Sequence, residues 1–227
     1  MALFLLTEHI FTVYYFLMPE KKRCVIVSAA EIKNYSKIKS YLSKNDFFIY
    51  CDGGLNHQEK LGFTPDLIIG DFDSYKKPDT SIEIIALPCE KDDTDTFFAV
   101  KEALNRGFND FVFIGSIGNR FDHSLCNISA LMYLYQKKIP ALLLDDYSEI
   151  TIADKNPSKV KDEFAYFSLM NIAGDVKGVT ITNAKYPLKN AKIKASYQFG
   201  ISNQVIPGKE AIITIKKGIL LLVKIWK

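Results

Sequence analysis

The sequence predicts an α/β fold in which a doubly wound, mostly parallel sheet domain is followed by a small all-β domain. Three observations predict it. Between Cys24 and about Asp146, six short, nearly continuous apolar runs alternate with segments of helical period. After about residue 147 the helical period disappears. From there on, short strand-like runs are separated by Gly, Pro and Asn. Continuous rather than alternating apolar runs are what strands covered on both faces need, and helices on either side of parallel strands provide that cover.

The six runs are Cys24 to Ala29, Phe47 to Cys51, Leu67 to Ile69, Ile82 to Leu87, Phe111 to Ile114 and Ala141 to Leu144. Between them, residues 31–44, 54–62, 94–106 and 122–138 set apolar residues three and four apart, as in Leu125, Ile128, Leu131, Met132 and Tyr135. Gly62 and Gly107 fall where helix C-termini belong. In the tail, Ile172 to Gly174, Val176 to Ile181, Ala191 to Phe199, Ala211 to Lys216 and Gly218 to Trp226 resemble strands. The α/β domain is therefore expected over 23–146 and the β-domain over 147–227, with no long linker between them.

Residues 1–22 are read as an N-terminal extension. Met1 to Leu17 is rich in large apolar residues but too short to span a bilayer, carries Glu8 and His9 in its middle, and lacks a basic leader and a small-residue cleavage pattern. Met18 is followed by Pro19, Glu20, a basic Lys21-Lys22-Arg23 and then a clear strand, so natural translation is expected to begin there.

Composition bounds the partners. With 48% hydrophobic and 24% charged residues the chain has the balance of an ordinary globular protein able to bury two small cores. A net charge of +3, with lysines scattered instead of clustered, argues against nucleic acid and anionic membrane surfaces as partners. Cys24, Cys51, Cys89 and Cys126 lie far apart, in or beside apolar runs, and are read as buried thiols of a cytoplasmic protein. With no CxxC pair and three histidines, a zinc site is not indicated.

Ligands of an open parallel sheet bind outside the carboxyl ends of its strands, and here those ends carry acids. The second run ends at Asp52-Gly53-Gly54, the third in Gly70-Asp71-Phe72-Asp73-Ser74; Asp92-Asp93-Thr94-Asp95 follows the fourth, and the fifth leads to Arg120-Phe121-Asp122-His123. If the backbone stays extended, Asp71 and Asp73 point to one face. Asp92 and Asp95, three apart, come together if a helix starts there. Two carboxylates about 5 Å apart repel by about 3 kcal/mol at an effective dielectric of about 20, so a cation belongs among them. Hard oxygen ligands without thiolate or imidazole point to Mg2+, which commonly shares its shell with substrate phosphates. Taken singly, Asp52, Asp92 and Asp122 are better explained as helix caps and turn formers; Asp-Phe-Asp at the end of a buried run is not.

Phosphate also needs donors. Gly53-Gly54 and the loop Gly115 to Arg120 are candidates to cradle it through backbone N–H groups, and Arg120 is the natural bidentate partner for a pair of phosphate oxygens. There is no GxxxxGK[ST] loop. His123, just inside a helix, is read as support behind the site, and Phe97, Phe98, Phe121 and the tyrosines as core.

These motifs, with Pro65-Asp66-Leu67-Ile68-Ile69 before the Asp-Phe-Asp, Lys91 before the second acidic run and Gly118-Asn119 before Arg120, resemble thiamine pyrophosphokinases in order and spacing. In the tail, Gly178-Val179-Thr180, Lys185-Tyr186-Pro187-Leu188 and Gly200-Ile201-Ser202-Asn203 are similar to that family's C-terminal β-domain. The resemblance runs from about residue 23 to the end. It implies a β-sandwich for the second domain, transfer of the pyrophosphoryl group of ATP to the thiamine hydroxyl to give thiamine diphosphate and AMP, and a homodimer with thiamine sites between subunits. By the same analogy Asp71, Asp73 and Asp95 hold Mg2+ with Asp92 close by. Asp52, Gly53, Asp92, Thr94, Arg120 and Asp122 bind the nucleotide, and Ser202 and Asn203 reach the thiamine of the partner's site. Asp71, Asp73, Asp95 and Arg120 are the residues expected to carry catalysis, with Asp71 or Asp95 as candidate acceptor of the hydroxyl proton. Asn119 stands where that family usually has glycine, and Gln204 where its bacterial members often have an acid. Two rivals remain at this stage: a diphosphokinase for another alcohol, such as a hydroxymethylpterin, and a nucleotide sensor with no catalytic activity.

Overall fold

The computed structural model describes residues 22–72, 78–90, 92–118 and 120–227. The start at Met18, the metal ligand expected at Asp73, and Asn119 lie outside these residues. The parallel half is built from β1 (Arg23–Val27), α1 (Tyr35–Lys39), β2 (Phe47–Cys51), α2 (Gln58–Leu61), β3 (Leu67–Gly70), β4 (Glu83–Ala86), α3 (Asp95–Asn105), β5 (Asp110–Ile114), α4 (Phe121–Gln136) and β6 (Ala141–Leu144). Each of the six apolar runs is a strand, and they lie parallel in the order β6-β5-β1-β2-β3-β4.

Why the runs are continuous is visible in their packing. Successive side chains point to opposite faces. Cys24, Ile26, Ile49, Phe111 and Phe113 pack against Ala99, Val100 and Ala103 of α3 and Leu131 and Leu134 of α4. Their neighbours Val25, Val27, Tyr50, Val112 and Ile114 pack on the other face with Ile38 of α1 and Leu61 of α2. In β1, β2, β3 and β5 almost every residue is shielded from water, so no polar alternation is permitted, whereas the edge strand β4 exposes Glu83 and Ala86.

The tail is all-β, as expected, and part of it also continues the first sheet. It contributes β7 (Ser148–Ala153), β8 (Ser158–Lys161), β9 (Phe164–Met170), β10 (Val176–Thr182), β11 (Leu188–Ile193), β12 (Gly200–Asn203), β13 (Glu210–Thr214) and β14 (Leu220–Trp226). Four of these extend the first sheet beyond β6 as antiparallel strands, giving a ten-stranded sheet that ends β6-β7-β14-β9-β12. The others form a separate sheet in the order β11-β10-β13-β8. The two antiparallel layers make a sandwich: Phe167, Leu169, Leu220 and Leu222 of the long sheet meet Val160, Val179, Ile181, Ile193 and Ile213 of the short one. Among the described residues no helix is long and apolar enough to cross a membrane.

Several expectations need correction. Ile172 to Gly174 is a bend, because Asn171 accepts from the Ala173 N–H and donates its amide to the Ile193 carbonyl instead of pairing with a strand. The run from Ala191 stops as a strand at Ile193, where Lys194 to Tyr197 turns. Cys24 and Cys51 are buried, but Cys89 and Cys126 are exposed, as is Phe121 at 71%.

The C-terminal strand is clasped to the first α/β unit by a polar cluster. Glu149 of β7 is buried opposite Lys224 of β14; the two form an ion pair, and Tyr41 Oη donates to Glu149 Oε1 at 2.5 Å. Trp226 packs on Tyr41 with ring centroids 6.0 Å apart and carries Lys37 Nζ 5.3 Å from its centroid. Removing one partner strands a buried charge. Lys224→Met is expected to destabilise the fold by about 3 kcal/mol in urea unfolding, and a loss below about 1 kcal/mol would show that Glu149 is solvated in the folded chain.

Candidate active site at the sheet switch point

From β1 the chain proceeds through β2, β3 and β4 on one side, then returns to place β5 and β6 on the other. Strand-end loops diverge at such a reversal and leave a crevice. Here the crevice is a cavity of about 780 Å³, walled by the residues after β1 (Ser28 to Glu31), after β2 (Asp52, Gly53), after β3 (Asp71), at the start of α3 (Thr94 to Thr96) and after β5 (Gly115, Ser116). That is the size of a small-molecule site.

Close backbone approach shapes it. A Cβ on Gly54 would stand 2.3 Å from the Val27 carbonyl oxygen, so the turn after β2 lies directly on the end of β1. Gly115 has φ +60°, and a Cβ there would come within 2.4 Å of the Ser28 carbonyl oxygen. Beneath the cavity a buried polar floor ties strand ends to helices. Ser28 and Thr96 share a hydroxyl hydrogen bond of 2.9 Å, Ser116 Oγ donates to Ser28 Oγ at 3.1 Å, and Asn127 Nδ2 donates to the Ser116 carbonyl at 2.7 Å.

On one wall Asp52, Asp71 and Asp95, all half-buried, bring carboxylate oxygens within 4.8 Å of one another. Each comes from a different element. Asp52 opens the turn after β2 with φ 38°, an uncommon left-handed conformation for a residue with a side chain. Asp71 follows β3, and Asp95 stands in the first turn of α3, where the helix dipole favours a negative charge. Thr94 caps that helix by accepting from the Phe97 N–H at 3.2 Å. The set fits a hard divalent cation: oxygens on opposite sides of a Mg2+ stand roughly 4.2 Å apart, twice the usual bond length.

The arrangement differs from the expected one in several ways. Asp52, read as a nucleotide contact, belongs to the carboxylate cluster. Phe72 has φ 57°, a left-handed conformation directly after Asp71, and Asp73 itself lies outside the described residues. Asp92 is exposed and absent from the cavity wall, whereas Gly53, Thr94 and Arg120 are on it. His123 is on it as well. Arg120 donates to Asp122 from Nε (3.0 Å) and Nη2 (2.7 Å), both side chains being largely exposed. That pairing holds the Asp122 acid well below the usual carboxylate range and raises the guanidinium further.

Ser202 and Asn203 are elsewhere. β12 is the last strand of the long sheet, five strands from β5, or roughly 24 Å at about 4.8 Å per strand. Ser202 is exposed with φ 56°. Asn203 is buried, accepting from the Tyr186 and Gln204 N–H groups and donating to the Tyr186 carbonyl. Sequence reasoning missed the floor residues Ser28, Thr96 and Asn127. The only signal for them is a small polar residue directly after a buried run or on the buried face of a helix.

Residues 38–143 match the family model of the thiamin pyrophosphokinase catalytic domain, and residues 151–220 that of the thiamin pyrophosphokinase vitamin B1 binding domain. The thiamine pyrophosphokinase of Bacillus subtilis (strain 168) is 29% identical over 195 residues, covering 82% of this chain and 91% of the relative. Thiamin pyrophosphokinase 1 of Caenorhabditis elegans is 24% identical over 197 residues, with 80% and 81% covered. Among solved structures, thiamine pyrophosphokinase from Bacillus subtilis superposes with a TM-score of 0.80 at 25% identity, covering 91% of this chain and all of that one. The yeast enzyme has the same fold at 16% identity, with a TM-score of 0.73 and 92% and 88% of the chains covered.

The close approach at Gly115 yields a direct test. Gly115→Ala forces both a left-handed alanine and a backbone clash, so it should cost about 2 kcal/mol or more in thermal or urea unfolding. Gly174, also left-handed but with nothing within 4 Å, carries the conformational penalty alone and should cost about half as much.

Proposed function

Because the chain belongs to the thiamin pyrophosphokinase family, we propose that it transfers the pyrophosphoryl group of ATP to the hydroxyl of thiamine, giving thiamine diphosphate and AMP. The observation that carries this reading is the cluster of Asp52, Asp71 and Asp95 in the crevice where the strand order reverses. A match to a vitamin B1 binding domain over the sandwich favours thiamine over a pterin alcohol, and three converging carboxylates favour chemistry over sensing.

In this reading the parallel half is a doubly wound domain, and Asp52, Asp71 and Asp95, together with Asp73, hold Mg2+ against the phosphates. The ion would supply charge neutralisation at the transferring group and align it for in-line attack. The thiamine hydroxyl oxygen forms a bond to the β-phosphorus and gives its proton to the carboxylate of Asp71 or Asp95, the bond from the β-phosphorus to the α,β-bridging oxygen breaks, and AMP leaves carrying the bridging oxygen. The chain's own part is mostly positioning. Gly53 and the Gly115 to Gly118 loop let the backbone approach the phosphates. Thr94 sets the first turn of α3 and with it Asp95, and Arg120 exchanges Asp122 for phosphate oxygens when nucleotide enters. Since Ser202 and Asn203 stand at the far edge of the long sheet, they serve the site of a second copy in a homodimer. There Asn203 acts through its hold on Tyr186 and Ser202 is presented on the surface. A cytoplasmic location belongs to the same reading and is supported by four free cysteines.

Incubation with ATP, Mg2+ and thiamine, followed by chromatography, should show AMP and thiamine diphosphate in equal amounts; ADP with thiamine monophosphate would refute attack at the β-phosphorus. Asp71→Asn should keep its far-UV spectrum, lose the thermal shift that Mg2+ gives the unaltered chain, and turn over on the order of a hundredfold more slowly or worse.

A further inference from the structure

The segment that walls the cavity after β1 is held at its two ends by different means. At the start, backbone bonds follow the sheet: the Ser28 N–H donates to the Ile114 carbonyl at 2.9 Å and the Ala30 N–H to the Gly115 carbonyl at 2.8 Å. At the far end the holder is a side chain more than a hundred residues away. Asp146, in the turn between β6 and β7, accepts the Lys33 N–H on both carboxylate oxygens, at 2.8 and 2.9 Å, and the Asn34 N–H on Oδ1 at 2.7 Å. That turn is itself rigid, because Asp145 Oδ1 accepts from the N–H groups of Tyr147 and Ser148 at 2.7 and 2.6 Å and from Ser148 Oγ at 3.0 Å.

The helix that follows cannot hold the segment by itself. α1 is five residues long, well short of what is stable alone. A second cavity of about 200 Å³ shares Glu31, Gly115 and Gly118 with the first and is lined also by Ile32, Lys33, Asp146 and Tyr147. Hence Ala29 to Lys33 is a partition between two cavities, and Asp146 is its outer post. From this we propose that Asp146 is a positioning residue. It touches no reacting group, but its carboxylate fixes the partition that forms the β1 side of the crevice and so sets the affinity for the donor nucleotide. The inference rests on the reading of that crevice as the ATP site.

Asp146→Asn in the full chain preserves shape while turning an N–H donor toward the backbone donors. We expect amide exchange at Lys33 and Asn34 to quicken about tenfold and the Kd for Mg·ATP, by calorimetry, to rise about tenfold, with KM for thiamine within twofold. Asp146→Ala should exceed this, and Asp146→Glu should recover part of it; if the alanine variant does not fold, the other two carry the test. Unchanged ATP affinity with quickened exchange overturns the proposal. So does a parallel loss of ATP affinity, thiamine KM and melting temperature, which marks a merely structural residue. Failure of the parent reading looks different: the unaltered chain then makes no thiamine diphosphate, while the calorimetric contrast between it and Asp146→Asn still decides the role of Asp146.

Discussion

Three carboxylates held within 4.8 Å of one another are the constraint around which this half of the molecule is arranged. At an effective dielectric of about 20 each pair at that separation repels by about 3 kcal/mol. A chain free to relax would turn these side chains apart. Their backbones are fixed by contacts elsewhere in the fold. Asp52 is locked by a turn lying on the end of β1, and Asp95 by a helix capped at Thr94 and bonded through Thr96 to Ser28. Asp71 follows directly on a fully buried strand. The strain at Asp52, with its positive φ, is tolerable for the same reason: the surrounding glycine contacts leave it no alternative.

The same rigidity extends into the β-half. Since β7, β14, β9 and β12 continue the parallel sheet, the sandwich is not an appendage on a linker but a hydrogen-bonded extension of the frame that holds the carboxylates. The Tyr41, Glu149, Lys224 and Trp226 cluster adds a second tie, from the last strand back to the first α/β unit. The direction of the far edge, and of Ser202 on it, is thereby set relative to the crevice.

What was legible in the sequence follows from what each element buries. Strands covered on two faces are uniformly apolar, so β1 to β6 could be read with boundaries correct to a residue or two. α3 and α4 could be read from the positions of their buried stripes, whereas the helical spacing over 31–44 and 54–62 yields only α1 and α2, five and four residues long with one buried side chain each. β7 and β9 could not, because β7 mixes apolar residues with a glutamate whose partner is cross-strand, and β9 alternates core residues with an exposed tyrosine and methionine. That the tail splits between two sheets depends on pairing between strands distant in sequence, and no local pattern records it. Asp52 and Asp71 were legible because they stand immediately after buried runs, and Asp95 because it opens a helix within an acidic run. The place of Asp52 in the cluster was not, because it joins through a left-handed turn that no local pattern records. Asp146 also stands just after an apolar run, but its role was not legible, since its partners are two backbone amides across the fold.

Two ion pairs in this molecule look alike on paper and differ in what they permit. Arg120 and Asp122 are mostly exposed, with side-chain exposures of 72% and 64%, and such a pair is worth roughly 0 to 1 kcal/mol. In the reading proposed above, a phosphate can therefore take the guanidinium from Asp122 at little cost, and Arg120 already lines the cavity. Glu149 and Lys224, at 11% and 16%, are in the opposite situation. Separating them would leave a charge in the interior at a cost of several kcal/mol. An exposed pair can thus exchange partners where a buried one cannot, and burial, not geometry, decides which is which.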